Sequence, residues 1–186
     1  MIKITSGYLK NKSFHAPDGL STRPTSSKVR EALFNILGSR IEDSTWLDLF
    51  SGSGSIGFEA ISRYAKEVTF IENEKNAFFN LKKNIELLDL KNKSKLFKTD
   101  SIQYISKTND SYDFIFIDPP YNSNLYEKSF EILNKKNNIL NDNGVLIIEH
   151  HKKYNLPDLF LEKTKTYNYG ETSLTLFNKF KIVVSD

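Results

Sequence analysis

Residues 45–65 change hydrophobic period at a run of glycines, and that change constrains what the whole chain can fold into. Thr45-Trp46-Leu47-Asp48-Leu49-Phe50 has the apolar density of a buried strand, and Ser51-Gly52-Ser53-Gly54-Ser55 interrupts it. Apolar residues then return at helical spacing over residues 56–65. A strand that feeds a helix through glycines is the first half of a parallel crossover, and the second half follows. Val68-Thr69-Phe70-Ile71-Glu72 reads as a second strand, and Phe78, Leu81, Ile85 and Leu88 mark a helix over 75–88. The alternation continues through a weaker third strand at 95–99, a short helix at 102–106 and a buried fourth strand, Phe114-Ile115-Phe116-Ile117. Asp118-Pro119-Pro120-Tyr121 must end that strand, because proline offers no ladder donor. A helix over 125–135 and a fifth strand at 145–148, opened by Gly144, complete the series.

Strands alternating with helices define an α/β fold with right-handed crossovers and a mainly parallel sheet covered on both faces. The end of the chain departs from this rhythm. Residues 163–169 and 172–180 alternate in polarity around Gly170, as an antiparallel hairpin would. Before the sheet, residues 2–14 suggest a small hairpin turning near Lys10-Asn11-Lys12. Thr22-Arg23-Pro24-Thr25 then leads into an amphipathic helix that starts near Pro24 or Thr25 and is capped by Gly38. The expected organisation is a basic appendage with a leading helix over 1–40, followed by one domain over 41–186.

Composition excludes several classes. With no cysteine among 186 residues there is neither a disulfide nor a thiolate zinc site. Met1-Ile2-Lys3-Ile4-Thr5 leads into no apolar signal core, and no apolar run approaches the roughly 18 residues of a membrane span, so a cytoplasmic protein is expected. The net charge of +3 is modest but unevenly placed. Residues 1–40 hold seven cations, Lys3, Lys10, Lys12, Arg23, Lys28, Arg30 and Arg40, against Asp18 and Glu31, which leaves +5 there and −2 on the rest. A basic end on a near-neutral body suits contact with phosphates, for which Lys10, Lys12, Arg23 and Arg30 are the candidates; the alternative is a solvated basic surface.

Gly52-Ser53-Gly54-Ser55-Ile56-Gly57 satisfies G-x-G-x-x-G after a strand, and Glu72 lies 20 residues past Gly52 at the end of the next strand. Dinucleotides and S-adenosylmethionine can both set a ribose against such an acid. Asp48 separates them: a carboxylate beside the turn opposes a pyrophosphate but suits a cationic ammonium and sulfonium. Asp100 follows the third strand and could accept the adenine amino group, or simply cap the helix that begins at Ser101. At the end of the fourth strand, Asp118 and the carbonyl of Pro119 can accept hydrogens from an exocyclic base amine, and Tyr121 can stack on an extruded base. His150 and His151 close the fifth strand beside Lys152 and Lys153 and read as solvated loop residues; no metal is expected.

These motifs together resemble the bacterial 16S rRNA guanine-N2 methyltransferases of the RsmD type, class I S-adenosylmethionine-dependent enzymes. The resemblance spans nearly the whole chain. It is carried by Thr22-Arg23-Pro24-Thr25, Val29-Arg30-Glu31-Ala32-Leu33-Phe34-Asn35-Ile36-Leu37, Leu47-Asp48-Leu49-Phe50-Ser51-Gly52-Ser53-Gly54, Glu59-Ala60-Ile61-Ser62-Arg63, Phe116-Ile117-Asp118-Pro119-Pro120-Tyr121 and Tyr169-Gly170. It implies a Rossmann-like seven-stranded sheet with an antiparallel C-terminal hairpin and a small N-terminal appendage that grips RNA. It also implies methylation of a guanine N2, G966 in the usual rRNA numbering, within the small ribosomal subunit or its assembly intermediate. On that basis Asp48, Phe50, Gly52, Gly54, Glu72, Asp100 and Ser101 would seat S-adenosylmethionine, leaving S-adenosylhomocysteine as product, and Asp118, Pro119 and Tyr121 would face the base. Arg23 would hold the donor carboxylate or an RNA phosphate, and a monomer is expected. Two positions depart from the family: Lys10-Asn11-Lys12 replaces an arginine-containing cluster, losing bidentate phosphate binding, and Tyr64 stands where the family tends to have glycine. The rivals are a DNA adenine-N6 methyltransferase, an NAD-dependent oxidoreductase, which leaves Asp118 to Tyr121 unexplained, and a non-catalytic RNA-binding module, which explains only the basic end.

Overall fold

Two short strands, β1 (Ile2–Lys3) and β2 (Ser13–Phe14), pair antiparallel at the start of the chain. The structure is a computed structural model and describes residues 1–17, 26–120, 123–159 and 161–179. Between β1 and β2 the chain turns tightly: Ile4 N–H donates to the Lys12 carbonyl and Asn11 N–H to the Ile4 carbonyl. Helix α1 (Ser27–Leu37) follows, started by Ser26, whose Oγ accepts from Val29 N–H, and ended at Gly38 with φ 57°. Pro24 and Thr25, the expected helix start, lie outside the described residues.

The main sheet contains β3 (Thr45–Asp48), β4 (Glu67–Glu72), β5 (Ser94–Lys98), β6 (Tyr112–Ile117), β7 (Leu140–His151), β8 (Glu162–Tyr169) and β9 (Thr172–Asn178), in the order β5-β4-β3-β6-β7-β9-β8. The first five run parallel, and β9 and β8 add antiparallel to β7 around Gly170, whose φ is 65°. The helices between strands are α2 (Ser55–Ser62), α3 (Lys75–Leu87), α4 (Ser101–Lys107) and α5 (Leu125–Lys135). From β3 the chain winds outward through β4 and β5, then returns to place β6 on the other side of β3. This reversal opens a crevice at the carboxyl ends of β3 and β6, where α/β sheets bind ligands.

Strand alternation divides the core between the two faces of the sheet. Trp46, Phe114, Phe116, Val145 and Ile147 pack on one side with Val29, Leu33 and Phe34 of α1, while Leu47, Ile115, Ile117, Leu146 and Ile148 meet Tyr126, Phe130 and Leu133 of α5 on the other. Described residues ahead of β3 take part in this core. Ile4, Leu9 and Phe14 lie in the same cluster as Trp46, and Phe14 meets Phe58 edge-on at 4.9 Å. Among the described residues no helix is long and apolar enough to cross a membrane.

Some boundaries differ from the sequence reading. β3 stops at Asp48 because Ser51 curls back, its Oγ donating to the Asp48 carbonyl at 2.8 Å. α2 stops at Ser62, and Tyr64 takes a left-handed φ of 71°. The fifth parallel strand begins at Leu140, four residues before Gly144, its pairing with β6 broken by a register shift between Tyr112 and Phe114. His150 is not a solvated loop residue. It is buried in β7, where Nδ1 faces the His151 carbonyl and Nε2 lies 2.9 Å from Thr175 Oγ1. A carbonyl only accepts, so Nδ1 carries the proton and Nε2 accepts from the threonine; burial pushes the pKa down and keeps the ring neutral. His151 is partly exposed and sits 3.2 Å from Glu171.

Candidate cofactor and transfer site

The glycine turn is built by three polar contacts. Ser51 N–H donates to the Ile71 carbonyl at 3.0 Å, its Oγ accepts from Ile71 N–H at 2.9 Å, and Gly54 N–H donates to the Ser51 carbonyl at 2.7 Å. The turn is thus fastened to β4 as well as to β3. Gly52 and Gly54 both have positive φ, 49° and 78°. At Gly54 a side chain is excluded for a second reason, since its Cβ would fall 2.5 Å from Leu81.

Glu72 ends β4 and reaches under this turn. Its Oε2 accepts from Gly52 N–H at 2.8 Å and its Oε1 from Glu74 N–H at 2.7 Å. Burial raises its pKa, and the backbone donors oppose that shift. Each carboxylate oxygen has a further lone pair, so the group can still accept from two vicinal hydroxyls. On the other side of the turn, Asp48 is buried at the end of β3 with Oδ2 accepting from Gly57 N–H at 3.3 Å. Burial pushes its pKa up to about 7, and the charge of Glu72 adds to the effect.

Strand register brings further acids to this edge. Asp48 aligns with Phe116, so Asp118, the residue just past the end of neighbouring β6, follows two positions later at the same edge of the sheet. Ile117 aligns with Ile148 of β7, which sets Glu149 beside Asp118. Asp118 is half-buried, and burial together with the charges of Glu149 and Asp48 holds its pKa well above the usual carboxylate range. Pro119 beside it is buried. Tyr121 lies outside the described residues, as does Arg23. Glu149 was not singled out from sequence. The available signal was an acid in line with the apolar run Val145-Leu146-Ile147-Ile148, but its meaning depends on a register that sequence does not print.

At the far side of the turn, Asp100 caps α4, its carboxylate accepting from Gln103 N–H at 2.9 Å, and is exposed. Ser101 is buried and donates to the Leu49 carbonyl at 2.6 Å, tying α4 to the loop that carries Phe50. Phe50 is partly buried against the cluster on that face.

The candidate phosphate contacts separate in the structure. Lys10 and Lys12 are exposed in the N-terminal turn. Arg30 is not available at the surface: only 2% exposed, it donates through Nη2 to the Lys3 carbonyl at 2.7 Å. Its Nε lies 3.3 Å from Glu59 Oε2, close enough for an ion pair but not aligned for a hydrogen bond. Glu59 in α2 is fully buried and also accepts from Thr5 N–H, Thr5 Oγ1, Ser6 N–H and Arg63 Nε. Arg30 thus helps neutralise a buried carboxylate that locks the N-terminal segment onto the cofactor helix. It corrects the expectation of a phosphate contact there.

A parallel sheet reversing at β3, a glycine turn braced by an acid on the next strand and an aspartate-proline-proline end to β6 define the class I methyltransferase fold. A family model described as Conserved hypothetical protein 95 matches residues 2–178. Ribosomal RNA small subunit methyltransferase D of Buchnera aphidicola subsp. Acyrthosiphon pisum is 42% identical over 156 residues, covering 83% of this chain and 81% of the relative. The chain belongs to this methyltransferase D family. It is also 30% identical over 183 residues to a putative rRNA methyltransferase, YlbH, of Bacillus subtilis, covering 96% of this chain and 99% of that one. Among solved structures, a putative methyltransferase, yhhF, from Escherichia coli superposes with a TM-score of 0.87 at 30% identity, covering 96% of this chain and 98% of that chain.

Proposed function

We propose that the chain transfers a methyl group from S-adenosylmethionine to the exocyclic N2 of a guanine in 16S rRNA, G966 in the usual numbering, within the small subunit or an assembly intermediate. The observation that carries this reading is the juxtaposition of Asp118 with buried Asp48 across adjacent strands, next to a glycine turn held by Glu72. The small-subunit rRNA named for the methyltransferase D relatives supports the substrate class.

The residues fit the donor. Asp48 is a buried acid that accepts from Gly57 N–H and is held near neutrality by burial, and the donor's ammonium and sulfonium would supply the positive charge that favours its ionised form. Glu72 keeps acceptor capacity for a ribose diol, and the exposed carboxylate of Asp100, with Ser101 beside it, would hold the adenine. When bound, S-adenosylmethionine supplies an electrophilic methyl group. The protein must then present the base. The lone pair of an exocyclic amine is delocalised into the ring, so acceptors held against its hydrogens favour the geometry of attack. Asp118 and the Pro119 carbonyl serve as those acceptors, and the acid cluster stabilises the positive charge that develops on the amine. Mass spectrometry of rRNA from a strain lacking the protein tests the reading: loss of one N2-methylguanosine supports it, and an unchanged guanosine inventory defeats it.

Glu72→Ala is expected to weaken S-adenosylmethionine binding about 10- to 100-fold, the scale of roughly 1.5–3 kcal/mol for hydrogen bonds to a charged group. Calorimetry checks this, and an unchanged Kd removes Glu72 from the site. The exposed lysines act at a different step. Replacing Lys10 and Lys12 by alanine is expected to reduce the slope of log affinity for rRNA against log salt by about 2, with donor affinity unaltered. A parent-like slope in filter-binding titrations would make that turn a solvated surface only.

A further inference from the structure

The C-terminal end of α2 carries a feature that methyl transfer does not use. Tyr64 is 55% exposed and Tyr8 is 45% exposed, and their rings form a tilted pair with centroids 5.6 Å apart and planes inclined by 37°. Both backbones are fixed. Tyr8 N–H donates to the Ser62 carbonyl at 2.9 Å, Leu9 N–H donates to Ser62 Oγ at 3.0 Å, and Ser62 Oγ donates to the Ser6 carbonyl at 2.5 Å. The approach is so close that a Cβ on Gly7 would sit 1.8 Å from the Ser62 carbonyl oxygen. Tyr64 N–H donates to the Ile61 carbonyl, and the Tyr64 carbonyl accepts from Asp43 N–H, each at 3.0 Å.

Tyr64 holds this place at a cost. Its φ of 71° is one that glycine adopts freely and that strains an L-residue. A large aromatic ring at a position favouring glycine, and left mostly in solvent, adds little to the core. The cations around it suggest what it meets. Lys10 and Lys12 project from the same turn as Tyr8, which is closed by Lys10 N–H to the Gly7 carbonyl and Lys12 N–H to the Leu9 carbonyl, and Lys66 is exposed two residues past Tyr64. Exposed aromatic faces interleaved with lysines form the combination that binds single-stranded nucleic acid, the rings taking bases and the ammonium groups taking phosphates.

We propose that Tyr8 and Tyr64 form a stacking platform for an unpaired base of the RNA substrate, separate from the base that is methylated. α2 starts at the glycine turn and spans eight residues, so its far end lies about 12 Å away along the helix axis. The platform therefore grips flanking RNA, with its rings already ordered before binding. This inference rests on the rRNA-methylation reading above.

Tyr64→Gly provides the test because the two roles predict opposite signs. Removing a ring that only props up the N-terminal turn lowers the melting temperature and leaves RNA affinity alone. Removing a stacking ring while relieving a strained φ keeps or raises the melting temperature and weakens RNA binding by about tenfold, within the usual range for one stacked base. The full chain would be titrated against small ribosomal subunits from a strain lacking the enzyme, with Tyr64→Phe, which keeps the stacking face, alongside and S-adenosylmethionine affinity measured for each variant. Tenfold weaker subunit binding by Tyr64→Gly, parent-like binding by Tyr64→Phe and equal donor affinities are expected. If Tyr64→Gly binds subunits like a parent that methylates them, the platform is overturned and the methylation reading stands. If the parent itself neither binds nor methylates subunits or 16S rRNA, the methylation reading falls and takes the platform with it.

Discussion

Asp118→Ala is expected to slow single-turnover methyl transfer by on the order of 10² to 10⁴, the range for a positioned acid–base group, while S-adenosylmethionine affinity stays within a few-fold of the parent. The asymmetry follows from where the side chain stands. Glu72 and the glycine turn are fastened to each other without Asp118, which belongs to the next strand and its proline-terminated end. The state of Asp118 also sets a pH dependence. Burial, Glu149 and Asp48 raise its pKa, so its ionised fraction, the stronger acceptor for an N–H, grows as pH rises above the ordinary carboxylate range. The parent's single-turnover rate should therefore climb with pH at saturating donor, and Asp118→Ala should flatten that climb. Labelled methyl transfer to small subunits gives both results, and near-parent rates for the alanine variant would sink the assigned role.

Why are so many residues of the candidate site legible in the sequence? The informative residues are local. Asp48, Gly52, Gly54 and Glu72 sit at fixed offsets around one strand-turn-helix-strand unit, and the hydrophobic period announces that unit without knowledge of the rest of the fold. Asp118 was equally visible, because two prolines after four apolar residues can only end a buried strand. What stayed hidden depends on pairing between distant segments. Glu149 meets Asp118 only through the register of β6 with β7, and Arg30 turns inward only because Glu59, 29 residues later, is buried beneath the N-terminal turn. Charge counting treats Arg30 like Lys10. Packing separates them: α1 places Val29, Leu33 and Phe34 in the core, and Arg30, on the edge of that face, reaches Glu59. The burial of His150 is hidden for the same reason, since it depends on β9 supplying Thr175.

Asp48→Asn is expected to make the protein more stable and disable it. The folded pKa of Asp48, about 7, exceeds the ordinary value of 3.8 for an unburied aspartate, so the native state binds a proton more tightly than the unfolded chain. The resulting penalty is absent below the unfolded pKa, grows as pH rises and is complete above about 7. At 1.36 kcal/mol per unit the full linkage is about 4 kcal/mol. Asparagine removes the charge and keeps an acceptor for Gly57 N–H but buries a new amide, so a net gain of about 2 kcal/mol is a reasonable scale. For a chain of this length that raises Tm by about 4–8 °C at pH 8; near pH 4, where the penalty on the carboxylate is nearly gone and the cost of the buried amide remains, the variant should melt below the parent. Donor binding moves the other way. An ionised Asp48 facing a cation is a buried pair, and deleting one partner typically costs 3–5 kcal/mol, so the variant should lose at least about 100-fold in S-adenosylmethionine affinity. In the parent, that affinity should rise as pH climbs through 7, because the cation favours the ionised acid; the protein's part of this dependence is the portion that Asp48→Asn abolishes. Melting curves at pH 4 and pH 8 with calorimetry across the same range test both halves: a variant destabilised at pH 8 would show that Asp48 carries no strain, and one that binds the donor like the parent would remove Asp48 from the site.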